Sequence, residues 1–299
     1  MTPSKTKHCP TPITFLLALA LAACGLDLGP TPVPVPTLTL TPVPTPTETP
    51  IPLAASVNGE GITAAEFEAE LARYQQAQAS LGNTVSLETA TQTVLNEMID
   101  TLLLEQGAAA SGFVVDEATV QSRIDTLAAQ VGGPDALVAW EAAHGYTDAD
   151  FRSSLHLQIA AAWMRDKIAA SIPITAEQVH VKQIMFYNAG DAQQALGLLQ
   201  AGSNFDDLAS QYDPVTKGEL GWFPRGYLPS TAIEEAAFAL QPGQYSAIIQ
   251  DETGYHILYL VERDPARLLS PDALLTLQER AVQSWLTQRR NESTILFAP

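Results

Sequence analysis

Residues 218–257, GELGWFPRGYLPSTAIEEAAFALQPGQYSAIIQDETGYHI, constrain the fold more than any other stretch of this chain. Gly218, Gly221 and Gly226 break its first part into short turns around Trp222-Phe223, which excludes a long helix there. Glu234 through Leu240 then predicts a short helix with one apolar side, closed by Pro242-Gly243. Gly254 opens Tyr255-His256-Ile257, which runs on through Leu258-Tyr259-Leu260-Val261 as an apolar strand. Turns, one short helix and a glycine-entered strand within about forty residues call for a small α+β unit.

The chain has 299 residues, of which 46% are hydrophobic, enough for two modest domains with packed cores. Its formal charge of −18 excludes the basic surface that nucleic acid requires and argues against electrostatic docking on an anionic membrane. Acidity that keeps an exported protein soluble is the plainer reading. Lys5 and Lys7 precede an apolar run over 13–23 that is too short to span a bilayer, the pattern of an export signal. The run ends Leu21-Ala22-Ala23-Cys24-Gly25, which resembles a bacterial lipobox with Cys24 as the lipidated residue. An ordinary signal cut near Ala23 is the alternative. Loss of Cys9 with the signal leaves Cys24 alone, so no disulfide framework, thiol nucleophile or cysteine-based metal site is expected. Residues 31–52, TPVPVPTLTLTPVPTPTETPIP, forbid helix and predict an extended polyproline II spacer.

Beyond the spacer, Val57-Asn58-Gly59-Glu60 predicts a hairpin, and Thr63 with Glu66 a capping box opening a helix. A helix over 87–110 carries Val94, Leu95, Met98, Ile99, Leu102 and Leu103 as one stripe. Three more helices are expected, from Asp116, over 135–143, and from Thr147 toward Ile168. His144 and His156 lack acidic neighbours at ligand spacing, so no metal site is expected there. Residues 172–175 read as an extended joint, 179–186 as a strand, and 191–201 and 204–212 as helices. Ser270, Pro271 and Asp272 start a last helix, toward Arg289. The expected segmentation is a signal over 1–23, lipidated Cys24 with its tether over 24–54, a helical domain over 55–174, an α+β domain over 175–264, and a C-terminal helix over 265–299.

Three phrases, VNGEGIT, VLNEMIDTLLLEQ and HGYTDADFRSSLHLQIA, resemble the N-terminal chaperone-like domain of SurA-type and PrsA-type foldases. The order of elements over 175–263, with the glycine-broken segment, resembles a parvulin-type (PpiC, rotamase) peptidyl-prolyl isomerase domain, a small antiparallel sheet wrapped by helices. The resemblance implies a lipid-anchored foldase outside the cytoplasm, acting on extended exported polypeptides at X–Pro bonds with no cofactor or metal. It implies a proline socket lined by Leu220, Leu228 and Ile233 with Phe223 nearby, ordinary core packing being the alternative for all four. Asp213 stands where the family sets a cysteine or aspartate toward the target amide, and a turn aspartate before Pro214 is the other reading. His256 matches the family's second histidine, buried under the site, with Thr253 set to join it. Gln183 replaces the first histidine and cannot be protonated. The implied isomerase activity is therefore weakened, and a non-catalytic chaperone binding extended clients is the alternative. Tyr187-Asn188-Ala189-Gly190 supplies no basic cluster, so phosphoserine-proline is not an expected target. The last helix is expected to pack on the helical domain, a free amphipathic membrane helix being the alternative.

Overall fold

The computed structural model describes residues 51–298, so the expected signal, Cys24 and nearly all of the tether lie outside the described residues. Among the described residues no helix is long and apolar enough to cross a membrane. Strand β1 (Leu53–Val57) begins directly after Pro52, where backbone donors return, so Leu53 and Ala54 are strand rather than tether. Asn58 (φ 55°) and Gly59 (φ 89°) make the positive-φ pair of a tight hairpin and lead into β2 (Glu60–Thr63). The Thr63 hydroxyl then accepts from the Glu66 amide at 3.1 Å, and the Glu66 carboxylate accepts from the Thr63 amide at 2.9 Å, opening α1 (Ala64–Ser80).

Helices α2 (Leu87–Ala110), α3 (Glu117–Val131), α4 (Pro134–Ala143) and α5 (Asp148–Ala170) follow. Ile99, Leu102 and Leu103 of α2 pack with Ala160, Ala161 and Met164 of α5 around Val57. The same core receives Leu286 from α9 (Pro271–Glu292), and Arg290 of that helix donates to Asp100 at 2.6 Å. Gly107 permits the close approach of α9, because a Cβ there would lie 2.6 Å from the Trp285 indole. Strand β7 (Ile295–Phe297), which no sequence pattern announced, pairs with β1 to give the antiparallel order β2-β1-β7.

Between α5 and α9 the chain builds a second sheet. Its elements are β3 (Thr175–Phe186), α6 (Ala189–Gln200), α7 (Phe205–Tyr212), β4 (Glu219–Pro224), α8 (Thr231–Ala239), β5 (Ile249–Asp251) and β6 (Gly254–Leu268). The strands pair antiparallel in the order β4-β3-β6-β5. Alternation along β3 and β6 divides the apolar side chains between two faces. Ile184, Phe186 and Ile257 pack against α6 and α7, whereas Val179, Val181, Leu258 and Leu260 meet Ile233, Ala237 and Phe238 of α8. The fold is α+β. Strand β3 starts four residues earlier than the expected 179, and β6 runs beyond the expected domain end at 264. Buried Gln178 explains the extension. Its amide donates to the carbonyls of Arg267 at 2.9 Å and Leu268 at 3.1 Å, holding the strands together across the bulge between Ala176 and Gln178.

Candidate active site

His256 is the polar centre of the face that looks toward α8. It is 2% exposed, and every heteroatom of its ring has a partner. Nδ1 lies 3.2 Å from the Gln183 amide oxygen, and Nε2 lies 3.0 Å from Asp251 Oδ1 and 3.1 Å from the Thr253 hydroxyl. A carboxylate facing Nε2 favours the tautomer with its proton there. Gln183 then matches either state of Nδ1 by presenting its oxygen or, after a half-turn of the amide, its NH2. A glutamine therefore completes this network without taking a proton.

Asp251 closes the β5–β6 hairpin, where it pairs with Gly254. Its Oδ1 accepts from the Thr253 hydroxyl at 2.7 Å, the Thr253 amide at 2.8 Å and the Gly254 amide at 3.3 Å. The Thr253 hydroxyl, with help from the Thr253 amide, the Ser230 hydroxyl and His256, holds this carboxyl well below the usual carboxylate range. Sequence reasoning missed Asp251 and Ser230. A DETG turn signals a hairpin, but nothing in it says that the aspartate turns inward onto a histidine.

Asp213 ends α7 and directs the loop to β4. Its carboxylate accepts from the amides of Val215 at 3.1 Å and Thr216 at 3.0 Å, and from the Thr216 hydroxyl. These bonds, the Thr216 hydroxyl first, hold its carboxyl below the ordinary value. Of the two sequence readings, the structure thus gives Asp213 the turn contacts. The loop returns to the sheet at Gly218, whose carbonyl accepts from the Gln183 amide at 2.7 Å.

The apolar side chains gather on one cluster. Leu220 of β4 and Leu228 of the following loop are half-buried at its edge, over Ile233 of α8, which is 7% exposed. Phe223 departs from the expectation of a socket residue. It is 1% exposed and meets Phe238 edge-on at 6.2 Å, so it supports the cup from within the core rather than lining its surface. Thr253 belongs to the histidine network, on the exposed hairpin, where its hydroxyl meets His256 Nε2 and Asp251.

Glu234 fixes the loop that carries Leu228. Its carboxylate accepts from the amides of Gly226 at 2.8 Å, Tyr227 at 3.1 Å and Leu228 at 3.3 Å, and the positive φ of Gly226 (78°) turns these donors to one side. In the sequence this acid looked like one of a pair on a short helix. Among the described residues no group of three His, Cys, Asp or Glu side chains is arranged to hold a metal ion.

Two family models match the chain, a SurA-like N-terminal domain over residues 50–139 and a PPIC-type PPIase domain over residues 188–262. The second span contains Asp213, Leu228, Glu234, Asp251 and His256, while Gln183 precedes it. Over 89 residues the chain is 43% identical to the periplasmic chaperone PpiD of Haemophilus influenzae, covering 28% of this chain and 14% of that protein. It is 25% identical over 195 residues to the foldase protein PrsA of Halalkalibacterium halodurans, covering 58% of each. It is 27% identical over 274 residues to the chaperone SurA of Albidiferax ferrireducens, covering 76% of this chain and 57% of that one. The chain thus spans less than two thirds of each of these relatives. It carries a match to a SurA-like N-terminal domain where the helical core begins, and a match to a PPIC-type PPIase domain where an antiparallel sheet holds a buried histidine and a leucine-edged cup.

Proposed function

We propose that this chain is a peptidyl-prolyl cis–trans isomerase that assists the folding of exported proteins outside the cytoplasm. The observation that carries the proposal is the pair of half-buried leucines, Leu220 and Leu228, on the same sheet face as a fully partnered His256. Rotation about an X–Pro bond faces a barrier of about 18–20 kcal/mol set by amide resonance, while the two isomers differ by only about 1 kcal/mol. No bond is made or broken, so neither nucleophile nor cofactor is needed. The cup grips the prolyl ring while the preceding carbonyl swings. Removing water from that carbonyl weakens the charge-separated planar form and lowers the barrier to the twisted amide. His256 and Gln183 hold the polar floor of the site rigid, and Asp213 serves as the polar group toward the moving amide. Thr253 serves by keeping His256 in one orientation.

The test is acceleration of cis–trans exchange in a short X–Pro peptide. Leu228→Ala removes most of one wall and is expected to lower kcat/KM about tenfold, the equivalent of about 1.4 kcal/mol of lost apolar contact. Asp213→Ala is expected to lower kcat by a similar factor. A wild-type chain with no acceleration, or two variants as active as wild type, would sink the reading.

The clients are extended polypeptides with X–Pro bonds, as the foldase and chaperone names of the relatives suggest. We further propose that Cys24 carries a lipid and that the proline-threonine tract holds the folded part away from the bacterial membrane. Cys24→Ser is expected to move the protein from the membrane fraction to the soluble one, with its isomerase activity intact. Continued membrane retention of that variant would count against the anchor.

A further inference from the structure

Helix α9 belongs to the helical core through one side, where Ala281, Val282 and Trp285 pack beside Leu286, and Gln278 donates to the Ala169 carbonyl of α5 at 3.4 Å. Its other side reaches the loop of the cup. Arg280 Nη2 donates to the Leu228 carbonyl at 3.1 Å, and Leu277 sits so close to Gly226 that a Cβ there would lie 3.1 Å from its Cδ2. The loop is thus held from two directions, its amides by Glu234 of α8 and a carbonyl by Arg280 of α9. Only the second hold comes from the helical region.

We propose that Arg280 is a positioning residue for the prolyl cup, tying the place of Leu228 to the helical core; this rests on the isomerase reading above. Arg280 touches no part of the reacting amide. It presets the loop, so a bound proline finds Leu228 already in place and binding does not have to order it. A displacement of α9 on the helical core is carried directly to the cup wall.

Arg280→Ala is expected to raise KM for an X–Pro peptide about threefold to tenfold, the range of one hydrogen bond, while kcat stays within about twofold. Arg280→Lys keeps a donor and should recover at least half of the loss. Amide hydrogen exchange over 226–230 should quicken in Arg280→Ala, with α2 unchanged. Unchanged KM overturns the proposal whatever the exchange does. So does a loss of kcat, KM and α2 protection together, which marks a merely structural role. If the wild-type chain lacks isomerase activity, the functional reading alone falls. The positioning claim is then decided by the affinity for a fluorescent prolyl peptide, where the same threefold or larger weakening supports it. Equal affinity, or no binding by either protein, overturns it.

Discussion

Gly218→Ala is expected to destabilise the protein by on the order of 3 kcal/mol and to remove most isomerase activity. Two effects add. At φ +74° a Cβ is strained by about 1 kcal/mol, and the new atom would lie 2.3 Å from the Gln183 carbonyl oxygen and 3.2 Å from the Ala209 methyl. The carbonyl is backbone in a central strand and has no rotamer to escape into. Either β3 shifts or the 2.7 Å bond from the Gln183 amide to the Gly218 carbonyl breaks, and both move the glutamine that faces His256. Gly221→Ala is the control. Its φ of +80° carries the same backbone strain, but nothing lies within 4 Å of the added atom, so only about 1 kcal/mol should be lost. Urea midpoints for the two variants check the difference, and equal midpoints would show that β3 yields without penalty.

Asp251→Ala should have the next largest effect, about 2 kcal/mol at neutral pH, because it takes the carboxylate from the His256 ring and leaves the Thr253 amide without its acceptor. The loss should also depend on pH. The folded carboxyl sits well below its unfolded value of about 3.9, so above that pH the unfolded and folded states are both ionised and the full stabilisation is present. As the pH falls below about 4 the unfolded state takes up the proton first, and the advantage fades toward the folded pKa. The gap between wild type and Asp251→Ala should therefore narrow from pH 7 to pH 3. Asp116 and Asp213 are also held low by their caps, but both remain in the variant and cancel in the difference. A gap that stays constant with pH would mean that the carboxyl carries no charge-dependent share.

The helical region was legible because its signals are local. The stripe of α2 repeats from Val94 to Leu103, and Thr63, Ser86, Thr147 and Ser270 each cap a helix with an oxygen visible in the sequence. Strand β7 was not legible, since three residues have no period and its reason to exist is a partner, β1, more than two hundred positions away. The end of β6 was hidden for a similar reason. Pro265 reads as a breaker, and only the side chain of Gln178, from the opposite strand, bridges the interruption. At the site, His256, Gln183 and Thr253 were named together through the resemblance to a parvulin-type domain, and the structure sets the three in contact. Asp251 and Glu234 were not, because each acts on backbone amides that a turn brings to it, and turn acids look alike until the turn is folded. For Phe223 the sequence left socket and core both open, because alternation alone does not assign depth beside a glycine-broken strand, and its burial fits the core.

The pairing of β1 with β7 makes the sheet domain an insertion within the helical one. During synthesis the amino end emerges first, so all strands of the second sheet are delivered before Trp285, Leu286 and β7 arrive to finish the earlier core. The inserted sheet is thus complete while the core that frames it still stands open. Completion of the helical core waits on α9 and β7, and a chain cut before α9 would leave a folded sheet attached to an unfinished, sticky bundle.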